Sequence, residues 1–278
     1  MYLEALEKTV KAIKQKKILF SSLILLQIIF VSIFLFVSID YQVRIFENLE
    51  TVNMALDQAN FDSTSIEEGK PFLEDGLKVI SAANTMKSDI FELIGVFIGL
   101  FLIFNGLIWS LTQRIFIKKK KTPIKVKVRF ILSAWLKYLT SSIIIMGPVI
   151  VASYFILKFL LFSDSAVNTF TNLFRVFIYI IIIFYYFALS AYAFLATKSW
   201  KNFIKKFYYV SIKNIHWSLI ALLINMTLIL GALFLVYIVM NLEILTLMLI
   251  TALLLIIIML ITKLYWIACL HLIIKEKK

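Results

Sequence analysis

The chain of 278 residues is 62% apolar with a mean hydropathy of +0.95, against about 45–50% apolar residues in a soluble domain. The excess lies in continuous runs of about twenty residues, enough to cross a hydrocarbon core of roughly 30 Å. This excludes a soluble domain, and also a membrane barrel, whose strands alternate in polarity. The net charge of +13 would suit nucleic acid in a soluble protein, but here the cations gather at the ends of apolar runs. Membrane lipids are therefore the expected partners, and no nucleic acid is expected. The sequence predicts an all-α polytopic membrane protein with six spans.

Residues 1–17 hold five lysines and two glutamates. Leu3, Leu6, Val10 and Ile13 recur at helical spacing, which predicts an amphipathic helix on the membrane surface. The apolar run at 18–39 is too long for a cleaved signal segment and no small-x-small site follows it, so it reads as a retained first span. Residues 40–89 form the one long polar segment. With Glu92 it carries eleven of the sixteen acidic residues against four basic ones. Ile45, Leu49, Val52, Leu56 and Ala59 follow a four-three spacing, as do Phe72, Gly76, Val79, Ala83, Met86 and Ile90, the pattern of a coiled-coil seam. Asp62–Ser65 and Gly69-Lys70-Pro71 supply turn chemistry between them. Spans 1 and 2 are thus expected to continue outward as an antiparallel helical hairpin, about 30 Å long for roughly twenty residues per arm.

Span 2 is expected at 90–112. Gly95, Gly99 and Gly106 share one of its faces and predict close helix packing. The stretch Lys118–Arg129 follows, with seven cations in twelve residues and no acid. Lysines and arginines near span ends are retained on the cytoplasmic side, which fixes both termini in the cytoplasm and the hairpin outside, in a cell membrane. Residues 124–138 read as an amphipathic elbow with Phe130, Ile131, Trp135 and Leu136 inward and Lys125, Lys127, Arg129 and Lys137 outward. Span 3 is expected at 138–162, with a kink or hinge at Gly147-Pro148. Span 4, at 170–196, is rich in aromatics. Lys198–His216 is a further basic amphipathic stretch. Spans 5 and 6 are expected at 217–240 and 243–263, the last running on as a helix toward Ile274. Lys118, Lys119, Lys120, Lys121, Lys201, Lys205 and Lys206 are the expected headgroup contacts.

A basic amphipathic helix thus precedes spans 1, 3 and 5. This divides the chain into three units, 1–116, 117–197 and 198–278, each an elbow followed by two spans and related by an axis along the membrane normal. Within the last two units, Ala193–Phe203 followed by Asn214-Ile215-His216-Trp217 resembles the interfacial stretch of uncharacterised prokaryotic six-span membrane proteins. It is also similar to the membrane domain attached to some glycerophosphodiester phosphodiesterases. The resemblance implies a six-span membrane domain. Hydrolase activity does not carry over, because in those enzymes it resides in a separate soluble domain, which this sequence lacks.

The span cores contain no carboxylate of the kind that proton-coupled carriers use. Lys158 and Arg175, near the outer ends of spans 3 and 4, form a candidate anion or lipid contact. Their other expected role is to snorkel to the outer headgroups. His216 and His271, with the single Cys269, do not predict a metal site, and no Gly-rich phosphate loop or Ser-His-Asp set occurs. No cofactor is expected. Gln27, Asn105, Asn225, Thr227 and Thr251 are expected to hydrogen-bond between helices. The functional expectation is a non-enzymatic protein that binds lipid through its basic helices or a partner protein through the outer hairpin. The alternative is a permease for a small or hydrophobic solute, hinged at Gly147-Pro148 with Lys158 and Arg175 as substrate contacts.

Overall fold

The computed structural model describes residues 1–57, 76–117, 124–162, 167–242 and 244–276. Its regular elements are α1 (Tyr2–Gln15), α2 (Lys17–Asp57), α3 (Gly76–Leu100), a π-helical turn (Phe101–Asn105), α4 (Gly106–Ile115), α5 (Ile124–Phe162), α6 (Val167–Tyr192), α7 (Trp200–Tyr208), a second π-helical turn (Tyr209–Lys213), α8 (Ile215–Met240) and α9 (Leu245–Glu276). All are helical, and among the described residues six stretches are long and apolar enough to cross a membrane, the run from α3 to α4 counting as one. The chain is an all-α multi-pass membrane protein.

Most helices run longer than the expected spans; α6, with 26 residues, ends at Tyr192, short of the expected 196. Helices α2 and α5 have 41 and 39 residues, about 60 Å each at 1.5 Å per residue. The apolar run limits a span, but backbone hydrogen bonding continues until something stops it. Two single-residue breaks do so. Lys16 (φ −131°, ψ 45°) separates α1 from α2, and Asn214 (φ −119°, ψ 38°) separates the second π turn from α8. No equivalent break separates residues 124–138 from span 3. That stretch, expected as a distinct elbow, is the first part of the unbroken helix α5, whose sequence holds no Gly, Pro or Asn before Gly147. The helix also runs unbroken through Gly147-Pro148.

The chain forms two compact units, one of residues 28–103 and one of residues 1–27 with 104–278. In the first, α2 and α3 run antiparallel. Phe34 stacks on Phe97 at 4.1 Å, and the Tyr41 hydroxyl donates to Glu92 Oε2 at 3.4 Å. The shielded positions are Ile45, Asn48 and Val52 in α2, and Val79, Ala82, Met86 and Asp89 in α3. Leu49, Ala83 and Ile90, expected on the seam, are exposed. Their neighbours Asn48, Ala82 and Asp89 take those places, because the chain takes a three-residue step where the expected pattern took four. Leu56, Ala59 and Phe72, and the turn between the arms, lie outside the described residues or side chains.

In the second unit α1 packs on α9, α4 on α5, α5 on α6, and α8 on α9. Leu23, Ile108, Ile115, Leu260 and Leu264 form a buried cluster there. Trp109, Tyr138, Phe194 and Trp266 are also fully enclosed. All lie toward the end of the bundle where α1 docks. Toward the other end the apolar side chains are exposed, as at Ile143, Ile144, Val151, Tyr179, Leu230, Phe234 and Leu249. Water would penalise such a surface at about 25 cal/mol per Å², whereas lipid chains cover it without cost.

The three expected packing glycines differ. A Cβ at Gly95 or Gly99 would meet no atom within 4 Å, so neither glycine mediates a close helix approach. A Cβ at Gly106 would fall 2.6 Å from Tyr138 Cδ1 and 2.8 Å from Trp135 Cδ1, so α4 and α5 touch there because the side chain is absent. Gly106→Ala should therefore destabilise the solubilised protein by about 1–3 kcal/mol through overpacking. Gly95→Ala and Gly99→Ala should be neutral or gain up to about 1 kcal/mol of helix propensity. Thermal unfolding in detergent measures all three.

Candidate functional site

The polar chemistry of the second unit gathers at the packed end, around the carbonyl end of α6. Carbonyls near a helix C-terminus run short of partners in their own ladder, and within a membrane protein they must find them in the protein. Leu189 O still accepts from Ala193 N at 3.2 Å, and three other helices add donors at this end and in the turn that follows. Trp266 of α9 donates from Nε1 to Leu189 O at 2.9 Å. Gln113 of α4 donates from Nε2 to Tyr192 O at 2.8 Å. Lys137 of α5 donates from Nζ to Thr197 O, in the turn that follows α6. Lys137, expected to point outward, is therefore buried (3% exposed), while Leu136, expected inward, is exposed. The cause is the phase of α5. Ala134, Lys137, Tyr138 and Ser141 share the face turned toward the protein. Lys16 does the same for α4, donating from Nζ to Arg114 O at 2.7 Å and to Ile117 O.

Beside this lies a chain of side-chain hydrogen bonds. Lys263 of α9, part of an otherwise apolar stretch, donates from Nζ to Asn105 Oδ1 at 3.1 Å. Asn105 Nδ2 donates to the Tyr138 hydroxyl at 3.1 Å. The Tyr138 ring lies 4.6 Å from that of Tyr192, whose hydroxyl is 2.8 Å from Ser142 Oγ. Ser142 in turn donates to Tyr138 O at 2.8 Å. Lys263 Nζ also stands 5.7 Å from the centre of the Trp109 ring, within cation–π range. The first π turn positions this group, since Asn105 is its last residue; such bulges rotate side chains out of the regular helical phase and recur at functional sites. A lysine at the bilayer centre costs about 2.5–3.5 kcal/mol on the insertion scale, less toward the interface. A second, smaller group joins α6 to α8: the Tyr186 hydroxyl is 2.5 Å from Ser218 Oγ and donates to Ser211 O at 3.1 Å.

Two short helices flank this end, each with three sectors. In α1, Ala5 and Thr9 are buried, Leu3 (79% exposed), Leu6 and Val10 form an exposed apolar flank, and Lys8, Lys11 and Lys14 lie beyond it. In α7, Phe203 is buried, Trp200, Ile204 and Tyr208 form the exposed apolar flank, and Lys201, Lys205 and Lys206 the charged one. Ser199 Oγ caps α7, accepting from Asn202 N at 3.3 Å. Tyr2 donates its hydroxyl hydrogen to Trp217 O at 3.0 Å and ties α1 to α8.

Among the residues expected to form sites, Lys201, Lys205 and Lys206 are exposed together on α7. Lys118 to Lys121 lie outside the described residues. Arg175 is exposed on α6, and the side chain of Lys158 is not among those described. Of the five polar residues expected to bond between helices, Asn105 does so. Thr227 and Thr251 instead bond to carbonyls of their own helices, Leu223 O and Leu247 O, at 2.9 Å. The amide oxygens of Gln27 and Asn225 have no partner among the described residues. Lys263, Tyr138, Ser142 and Tyr192 were not legible as a group. Their signals were a cation interrupting a 32-residue apolar helix and tyrosines near the ends of the expected spans 3 and 4. Cys269 is buried, and His271 stacks on Phe194 at 5.6 Å. Among the described residues no group of three His, Cys, Asp or Glu side chains could hold a metal. Comparison with family models, curated proteins and solved structures finds no match for the chain.

The chain from Asn105 to Tyr138 is open to a double-mutant test. Asn105→Ala and Tyr138→Phe, combined, should be non-additive, with a coupling of about 0.6–1.7 kcal/mol, the range for hydrogen bonds between membrane helices. Unfolding of the two single variants and the double variant in detergent measures it.

Proposed function

We propose that this chain is a non-enzymatic integral membrane protein of a cell membrane, with both termini cytoplasmic, that grips anionic lipid through basic helices at the inner leaflet. The observation that carries this reading is the sector order on α1 and α7: a flank packed on the protein, an apolar flank open to the surroundings, and a lysine flank beside it. A helix lying in the interface requires that order, because its apolar flank enters the acyl boundary while its lysines stay among the headgroups. The single-residue breaks at Lys16 and Asn214 support reading α1 and α7 as the elbows of repeated units. The arms of α2 and α3, with Val43, Phe46, Leu77 and Ile80 exposed beside the charges of the acidic segment, are the proposed docking surface for a partner protein.

Each lysine near an anionic surface contributes about 1 kcal/mol. When the full chain is extracted with its surrounding lipid from mixed phosphatidylglycerol–phosphatidylcholine vesicles, that lipid should be enriched in phosphatidylglycerol. Lys201→Gln, Lys205→Gln and Lys206→Gln together should abolish most of the enrichment, and raised salt should weaken it. Undiminished enrichment in the triple variant overturns the reading.

Orientation is tested with a cysteine placed at Thr122. Cys269 is fully buried and gives little background. An impermeant thiol reagent should label Thr122→Cys in opened cells and leave it unlabelled in intact ones; labelling of intact cells would refute the topology.

A further inference from the structure

The exposed lysines of α7 leave unexplained the one in α9. Lys263 carries a positive charge, yet the partners it has are neutral: the amide oxygen of Asn105 and the face of Trp109. Among the described residues no carboxylate lies within ion-pair distance of it. An ammonium has three N–H donors and no acceptor, so one bond to Asn105 leaves donors unspent. The neighbouring groups include further donors. Asn105 gives its own amide hydrogen to Tyr138. Trp135 Nε1, packed against the backbone of Gly106 next to Asn105, is buried with no acceptor among the described residues. Lys263 itself is only partly buried. Asn105, itself held by Tyr138, keeps the ammonium in place without neutralising it.

Position along the helix narrows the anion. Lys263 follows Leu245 by eighteen residues, about 27 Å at 1.5 Å per residue, close to the hydrocarbon thickness of roughly 30 Å. It therefore stands near headgroup depth in the leaflet on the α1 side, where phosphate is the abundant anion. We propose that Lys263, oriented by Asn105 and the face of Trp109, binds a phosphate group at this end of the bundle. This site is separate from the lysine flanks of α1 and α7 and does not rest on their role.

The test uses the full chain in detergent, with native mass spectrometry and thermal unfolding. The probes are phosphatidylglycerol, diacylglycerol (the same tails without phosphate) and inorganic phosphate. Phosphatidylglycerol should bind in a tight, discrete complex and raise the unfolding midpoint, and diacylglycerol should do neither. A matching shift from inorganic phosphate would assign the site to free phosphate, and none would assign it to the lipid headgroup. Asn105→Asp sets a carboxylate beside the ammonium in the same volume. It should weaken the discrete complex by at least about tenfold, the scale of one charge-assisted contact, without loss of stability. Lys263→Met should do the same and Lys263→Arg should retain binding. The Lys201, Lys205 and Lys206 triple variant should keep the discrete complex. Wild-type affinity in Asn105→Asp, or no response of the wild-type protein to either phosphate probe, overturns the inference.

Discussion

The carbonyl end of α6 is the point on which the second unit closes. Three carbonyls there, at Leu189, Tyr192 and Thr197, accept hydrogen bonds from Trp266, Gln113 and Lys137. Those donors stand on α9, α4 and α5, so one helix end fixes the position of three others. The last turn of α6 holds no cation of its own, and Lys137 bonds to the turn that follows it. Lys16 completes the pattern at the end of α4, and it does so from the break that separates α1 from α2. The break that ends α1 and the cation that bonds to the end of α4 are the same residue.

This placement has a mechanical consequence. In a bilayer, apolar contact between helices gains little, because lipid tails are as apolar as leucine. Helices must therefore be held by polar bonds and by close approach of small residues. Both lie at one end of the unit: the bonds to α6, the Lys263–Asn105–Tyr138 chain, the Tyr186–Ser218 pair and the Gly106 contact. Away from that end, α5 meets α6 and α8 meets α9, and the remaining apolar surface is left to its surroundings. Motion of the far halves is thus less constrained than motion at the α1 end, and the ligand chemistry proposed for Lys263 lies in the rigid part.

What could be read in the sequence, and what could not, divides along the same line. Six spans were legible because bilayer thickness sets the length of an apolar run, and length is visible in one dimension. Rotational phase was not, because a helix facing lipid on one side and protein on the other is apolar all round. So Lys137 and Leu136 exchanged places, and Gly95 and Gly99 could not be told from Gly106. In the α2–α3 pair the apolar seam was legible to within one residue, and Asn48 and Asp89 displaced Leu49 and Ile90 because nothing in a two-class pattern marks a polar residue that packs. Lysines at span ends read as headgroup contacts, which holds no information about carbonyls arriving from another helix.

Charge counting is the clearest case. A net charge of +13 suggests a protein that offers its cations to the membrane. Structurally the lysines fall into two classes. Lys201, Lys205 and Lys206 stand free on one flank of α7, where each acts additively and salt screens it. Lys16, Lys137 and Lys263 are turned into the protein, where each ammonium demands acceptors or a counter-charge. Lys16 meets carbonyls at the end of α4, which carry partial negative charge, and Lys137 meets a carbonyl in the turn after α6. Lys263 meets a single amide oxygen and an aromatic face. The difference between these three, and not the total, is what separates a cation that holds the fold together from one still able to hold an anion.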